Sequence, residues 1–176
     1  MPSARGTLPW SPVADHPDLL AVAVAAALPL VPGALVAPID PGLADTAAFC
    51  TAYDVSLAAS ANCVVVAGRR GEAITHAAVM VLATDRADVN GVVRKHLGAR
   101  KISFAPMEDA VGLTGMEFGG ITPIGLPDGW PVLVDPTVVA AGEVVIGSGL
   151  RRSKVLLDGA ALLGLPGAVE VALAQR

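Results

Sequence analysis

Aromatic side chains make up only 3% of this 176-residue chain, so its core has to be aliphatic, built mainly from alanine, valine and leucine. Cysteine is rarer still, at Cys50 and Cys63 alone, and neither has a His or Cys at metal-ligand spacing. That leaves a bound metal without ligands and fits two buried thiols in a reducing cytoplasm. His16, His76 and His96 are scattered and pair with no nucleophile, and the Gly-x-Ser-x-Gly elbow of a serine hydrolase is missing. No cofactor fingerprint stands out, so none is expected. Charge is also sparse, at 16% of residues and a net of −4, which argues against a protein that coats DNA or other nucleic acid without selectivity. The uncharged run from Leu19 to Ile39 is interrupted by Pro29, Pro32, Gly33 and Pro38, which excludes a membrane span.

What is present is an apolar fraction of 53%, enough for one packed domain of this length. Residues 1–12 mix Pro, Ser and Gly and are expected to form a loose leader, with Trp10 pinning its end to a single domain over 13–176. Nine of the twelve Lys and Arg residues fall in four groups: Arg69 with Arg70, Arg94 with Lys95, Arg100 with Lys101, and Arg151, Arg152 and Lys154. If folding gathers them, they grip a phosphate backbone locally; taken singly, each is a solvated strand or helix end.

The periodicity predicts a helix from about 15 to 28, a short strand at 35–39 and a helix at 43–53. The valine run Cys63–Gly68 predicts a strand covered on both faces, turned at 69–72 into a partner at 77–83. A helix ending before Gly98, a strand at 101–104 and a helix at 107–113 follow. Strand-like segments at 132–134, 143–147, 154–157 and 169–171 close the chain, with a small helix after Asp158. Strands and helices interleave without a strict βαβ repeat, which predicts a mixed α/β sheet, curved and barrel-like, surrounded by helices.

The stretch Phe118-Gly119-Gly120-Ile121-Thr122-Pro123-Ile124-Gly125-Leu126-Pro127 is the most pointed in the chain. Glycine lets a ligand approach the main chain closely, and proline stiffens it. A rigid ring of backbone donors suits chemistry in which negative charge develops on a carbonyl oxygen. An ordinary Gly/Pro turn is the plainer reading of the same window. A Gly120→Val change is expected to abolish activity and spare the fold.

Read in order, the valine-rich strand, the hairpin, the segment from Leu113-Thr114-Gly115 to Leu126-Pro127, the strand ending Val134-Asp135 and the turn Gly147-Ser148-Gly149 resemble the YbaK/prolyl-tRNA editing-domain family. The resemblance covers about 43–171. It implies a trans-acting aminoacyl-tRNA deacylase, which hydrolyses the ester at the 3′ end of a mischarged tRNA. It places the family's Gly-x-x-x-Pro loop on Gly119, Gly120, Ile121, Thr122 and Pro123, whose backbone would hold the aminoacyl group while the terminal ribose hydroxyl helps to activate water. Substrate contacts would come from Asn62, Asp135, Gly147 and Gly149. Where the family usually has a lysine at the start of the valine-rich strand, this chain has Asn62, a neutral donor.

Two other functions compete. A noncatalytic module of the same fold would bind an aminoacyl group, an amino-acid-like ligand or a protein partner; a general small-ester hydrolase would need a nucleophile that is not evident. Asp135, directly before Pro136, reads equally as a helix cap. Thr122 leans towards bonding its own loop, His76 towards solvent, and Phe49 and Tyr53 towards helix packing rather than base stacking.

Overall fold

The computed structural model describes residues 1–175. The N-terminal residues are not loose. Ser3 bridges Val55, the Trp10 indole donates to the Arg5 carbonyl, and Arg5 pairs with Glu143 at 2.6 Å. Strand β1 (Ser11–Pro12) then runs antiparallel to a strand further along, so this stretch finds backbone partners in the body.

The single helix expected over 15–28 is broken into pieces. Pro17–Leu19 and Leu28–Leu30 are 3-10 turns, each with its proline in the opening positions, and only Val22–Ala26 (α1) is α-helical. Between them Leu20 is extended, and the Ala21 N–H donates to the Ser148 carbonyl at 3.2 Å instead of continuing a helix. Proline and one tertiary bond override alanine's helical preference. Strand β2 (Leu35–Pro38) follows as expected. Helix α2 is Thr46–Tyr53, later than predicted because Asp40 accepts from the Gly42 N–H and closes a separate turn over Pro41–Leu43.

Strands β3 (Ala61–Arg70) and β4 (Ala73–Leu82) form the longest ladder, registered from Ala61–Leu82 to Arg70–Ala73 and turned at Gly71, where φ is +61°. Alternation sorts β4 onto two faces: Ala78, Met80 and Leu82 enter the main core, and Ala77, Val79 and Val81 enter a second one. Fully burying a side chain such as Met80 or Leu133 contributes roughly 1.5–3 kcal/mol. After β5 (Arg86–Ala87), Asp88 accepts from the Gly91 and Val92 N–H groups and caps a π-turn over Val89–Val93, which runs into α3 (Arg94–His96). Strand β6 (Lys101–Phe104) and helix α4 (Met107–Thr114) come next, the helix stopped by Gly115 at φ +68°.

Past the Gly/Pro loop lie β7 (Val132–Val134), α5 (Pro136–Ala140), the hairpin of β8 (Glu143–Gly147) and β9 (Ser153–Asp158), then β10 (Ala168–Glu170) and β11 (Ala174–Gln175). One sheet has the order β1-β2-β9-β8, a mixed one has β10-β7-β4-β3-β6, and β11 pairs with β5. The mixed α/β class holds, but the expected barrel does not form. A barrel needs an unbroken ladder around its circumference. Here the two larger sheets meet at one bridge, Ser60 to Val145. Strand β6 pairs with β3 only from Val66 to Arg69, so, among the described residues, positions 61–64 of β3, on the side away from β4, and the outer edge of β8 pair with no strand. Loop and helix-end residues line that gap instead. Among the described residues no helix is long and apolar enough to cross a membrane.

Candidate functional site

The gap between the two sheets is a cavity of about 480 Å³, within the range that holds small ligands. Its walls come from five places: Asp45 and Thr46 opening α2, Asn62 and Cys63 on β3, Phe104 and Met107 around the end of β6, Phe118, Gly119 and Ile121 of the loop, and Gly147 and Lys154 on the β8–β9 hairpin. Two unpaired strand edges frame it.

The loop is locked to the hairpin by close backbone approach. The Gly149 N–H donates to the Gly120 carbonyl at 2.7 Å, and the Gly120 N–H donates to the Glu117 carbonyl at 2.9 Å. A Cβ on Gly147 would stand 2.5 Å from the Gly120 carbonyl oxygen and 2.7 Å from that of Ile121; one on Gly120 would stand 2.6 Å from the Leu150 backbone. Gly120→Val would therefore disturb the fold as well as the site, contrary to expectation. Of the five loop residues 119–123 expected to form the site, two line the cavity. Gly119, at φ +90°, and Ile121 line the cavity, and their N–H groups make no backbone hydrogen bond among the described residues. Gly120, Thr122 and Pro123 are buried away from its walls, and the Thr122 hydroxyl has no hydrogen-bond partner among the described residues.

Asn62 lies across the cavity from this loop. Its Oδ1 accepts from the Thr46 hydroxyl at 2.6 Å, which orients the amide and leaves the NH₂ end for a ligand. Beside it, burial pushes the Cys63 thiol up to about 12, so it is a neutral wall residue rather than a nucleophile. Gly147 lines the cavity, whereas Gly149 does not: it closes the hairpin turn at φ +87°, where a Cβ would fall 2.4 Å from that of Ala21. Asp135 is buried elsewhere. Its carboxylate accepts from the Thr137 N–H and hydroxyl, capping α5, and from the Leu173 and Ala174 N–H groups, tying down the C-terminal strand. Burial alone would raise its pKa, but these bonds outweigh it and hold the carboxyl below the usual range. His76 stacks on Trp130 at 5.2 Å, and Phe49 is wholly buried.

Two charged wall residues are not among the site residues expected from the sequence, where Lys154 reads only as one of a basic group. Lys154, only 8% exposed, donates from Nζ to the Ala44 carbonyl at 3.1 Å and lies 5.2 Å from the centroid of the Phe49 ring. A lysine set directly before Val155-Leu156-Leu157 was the one available sign. Asp45 is the N-cap residue of α2, yet its side chain makes no capping bond. At the mouth, Phe104 and Phe118 are 66% and 55% exposed although both are large and apolar.

Three of the four basic groups do gather. Arg69 stands opposite Lys101 across the β3–β6 ladder, the Arg100 N–H donates to the Arg69 carbonyl, and the Arg70 guanidinium donates to the Gly98 carbonyl at the foot of the turn that carries Arg94 and Lys95. They cluster at one end of β6. Phe104, at its other end, is at the cavity, roughly 10 Å away at the rise of a β-strand. Of the fourth group, Arg151 donates to the Phe118 and Pro41 carbonyls at the rim, Arg152 bonds the Asp18 carbonyl, and Lys154 is inside. Among the described residues no cluster of His, Cys, Asp and Glu is placed to hold a metal ion.

Comparison with known proteins adds to this geometry. A family model of the aminoacyl-tRNA editing domain matches residues 40–165. No curated protein matches. Of the solved structures, a candidate trans-editing enzyme for prolyl tRNA synthetase aligns with a TM-score of 0.75 at 22% identity, over 89% of this chain and 97% of that one. The hypothetical protein APE2540 aligns with a TM-score of 0.70 at 21% identity, over 80% and 90%. A candidate signal transduction protein from Marinobacter aquaeolei VT8 aligns with a TM-score of 0.57 at 16% identity, over 94% of this chain and 31% of that one. At these identities the likeness shows the fold.

Proposed function

The chain belongs to the aminoacyl-tRNA editing domain family, and we propose that it is a trans-acting deacylase, hydrolysing the ester between a wrongly attached amino acid and the 3′ end of a tRNA. The observation that carries this reading is the pairing, across one cavity, of the unbonded N–H groups of Gly119 and Ile121 with the amide of Asn62. An aminoacyl ester is already activated, so fixed donors and correct placement account for much of the rate without a nucleophilic side chain. In this reading the two N–H groups face the ester carbonyl oxygen, where charge develops, and the Asn62 NH₂ contacts the terminal ribose. The terminal ribose hydroxyl helps to direct the attacking water, as the family resemblance implies. Asp45, a carboxylate that does not cap its own helix, suits the α-ammonium of the aminoacyl group.

The surroundings suit an RNA end. Phe104 and Phe118 offer exposed ring faces on which unpaired terminal bases stack. The basic cluster at the far end of β6 lies where the acceptor strand would continue, and no carboxylate pairs with it among the described residues. Thr122, Pro123, Gly120 and Gly149 serve this reading by holding the loop's shape.

The test is a deacylation assay across a panel of mischarged tRNAs, with Asn62→Lys run in parallel. Release of one or a few amino acids by the natural protein supports the reading. Hydrolysis of none, combined with binding of a nonhydrolysable aminoacyl-adenosine analogue, would leave a noncatalytic binding module.

A further inference from the structure

Lys154 is a cation with no carboxylate within ion-pairing distance among the described residues, kept almost out of water in a cavity wall. Such a group is costly to bury without a partner, and an ammonium has three donors of which the protein uses one, on the Ala44 carbonyl. Its direction is set by the ladder. Lys154 is the cross-strand partner of Gly147, and directly opposed residues project from the same face of a hairpin. On that face, against Gly147, lie the carbonyls of Gly120 and Ile121. The lysine stem therefore leaves the ladder on the side where the loop lies, and its Nζ ends at the Ala44 carbonyl, just before α2. The charged or titratable groups that act on it are Cys50, Arg151 and Asp45.

We propose that Lys154 is a catalytic residue of this site, donating from Nζ to the carbonyl oxygen of the scissile ester and supplying the positive charge that Asn62 does not. The inference rests on the deacylase reading. When water adds to the ester carbon, the carbonyl π pair moves to that oxygen. Lys154 and the N–H groups of Gly119 and Ile121 then share the resulting negative charge. Collapse reforms the carbonyl and breaks the bond to the ribose oxygen, which leaves with a proton that came from the water. The products are the free amino acid and the tRNA, and Lys154 keeps its own proton throughout. A charged donor is roughly twice as strong as the neutral backbone donors beside it. Burial lowers the ammonium to about 8, so the protein holds the donor charged at neutral pH but not far above it.

The experiment compares the natural protein with Lys154→Met, Lys154→Gln and Lys154→Arg on the tRNA cleaved in the panel assay, from pH 6 to 10, after subtracting spontaneous hydrolysis. Folding of each variant is checked by circular dichroism, and Lys154→Gln, which keeps a neutral donor, stands in if Lys154→Met does not fold. The expected result is a fall in kcat of about 100-fold for Lys154→Met with KM changed by less than about threefold. In the natural protein kcat/KM falls as pH rises through about 8, and in Lys154→Arg that fall is absent. Activity of Lys154→Met or Lys154→Gln within about threefold of the natural protein overturns the role of Lys154 and leaves the deacylase reading intact. A natural protein that hydrolyses no member of the panel overturns both.

Discussion

Lys154 stands directly across the β8–β9 ladder from Gly147, and the bare Cα of Gly147 is what lets the loop at 120–121 lie against the same face. Both neighbours of the missing side chain are main-chain oxygens, which cannot swing aside. Gly147→Ala is expected to push the loop off the hairpin, costing about 1–3 kcal/mol of stability and at least tenfold in deacylation. Urea denaturation and the tRNA assay read the two effects separately. A variant with unchanged stability and turnover would show that the loop does not need this seat.

The same lysine should carry a cost in stability. Its ammonium falls from 10.5 to about 8 on folding, so between those pH values the unfolded chain holds a proton that the folded chain has released. Stability from this group therefore rises with pH across the window, and its charged form weakens the fold below it. Lys154→Met is expected to be more stable at pH 7 by on the order of 3 kcal/mol, with the gap closing towards pH 10. Cys63 works in the opposite sense at higher pH but is common to both proteins, so the difference between them isolates Lys154. Denaturation at pH 7 and pH 10 gives that difference directly.

Asp135 should behave as a structural residue. Asp135→Ala strands the N–H groups of Thr137, Leu173 and Ala174 and is expected to cost about 2–4 kcal/mol. Because the folded carboxyl is held below its ordinary range, its contribution is complete above the unfolded pKa and is lost as pH falls through the folded one. The stability gap between natural protein and variant should be flat at neutral pH and narrow below about pH 4. Under conditions where the variant is folded, its deacylation rate should match the natural protein's. A selective loss of turnover would return Asp135 to the site.

Arg69 and Lys101, opposed across β3 and β6, should matter only for long substrates. A double change to Glu is expected to raise KM for full-length aminoacyl-tRNA at least tenfold and to flatten its dependence on salt. Cleavage of an aminoacyl-adenosine, which ends before the basic cluster, should be unaffected. Equal losses on both substrates would mean that the cluster acts on the fold rather than on RNA.

Much of this organisation is legible in the residues themselves. The valine run of β3, the helix end before Gly98 and the glycine turn of the β8–β9 hairpin depend on local rules, and the structure places them close to where those rules put them. The failures share a cause. The helix expected over 15–28 gives way to a bond between Ala21 and Ser148, residues far apart in sequence, and the barrel fails because β8 bridges only Ser60, just before β3, and does not pair along the length of β3. The site divides the same way. Glycine and proline mark the loop, but which of its residues line the cavity depends on hairpin residues that follow it. Lys154 looked like one more member of a basic surface group, and only the ladder register turns it inward.

Among the described residues one bridge, Ser60 to Val145, joins the ladders of the two larger sheets, while Met80 and Val134 of one pack with Ile146 and Val155 of the other in a shared core. The width of the mouth is therefore fixed by interlocked side chains rather than by a continuous ladder. A change in the size of amino acid accepted would then call for substitutions where the sheets touch, leaving the loop as it is.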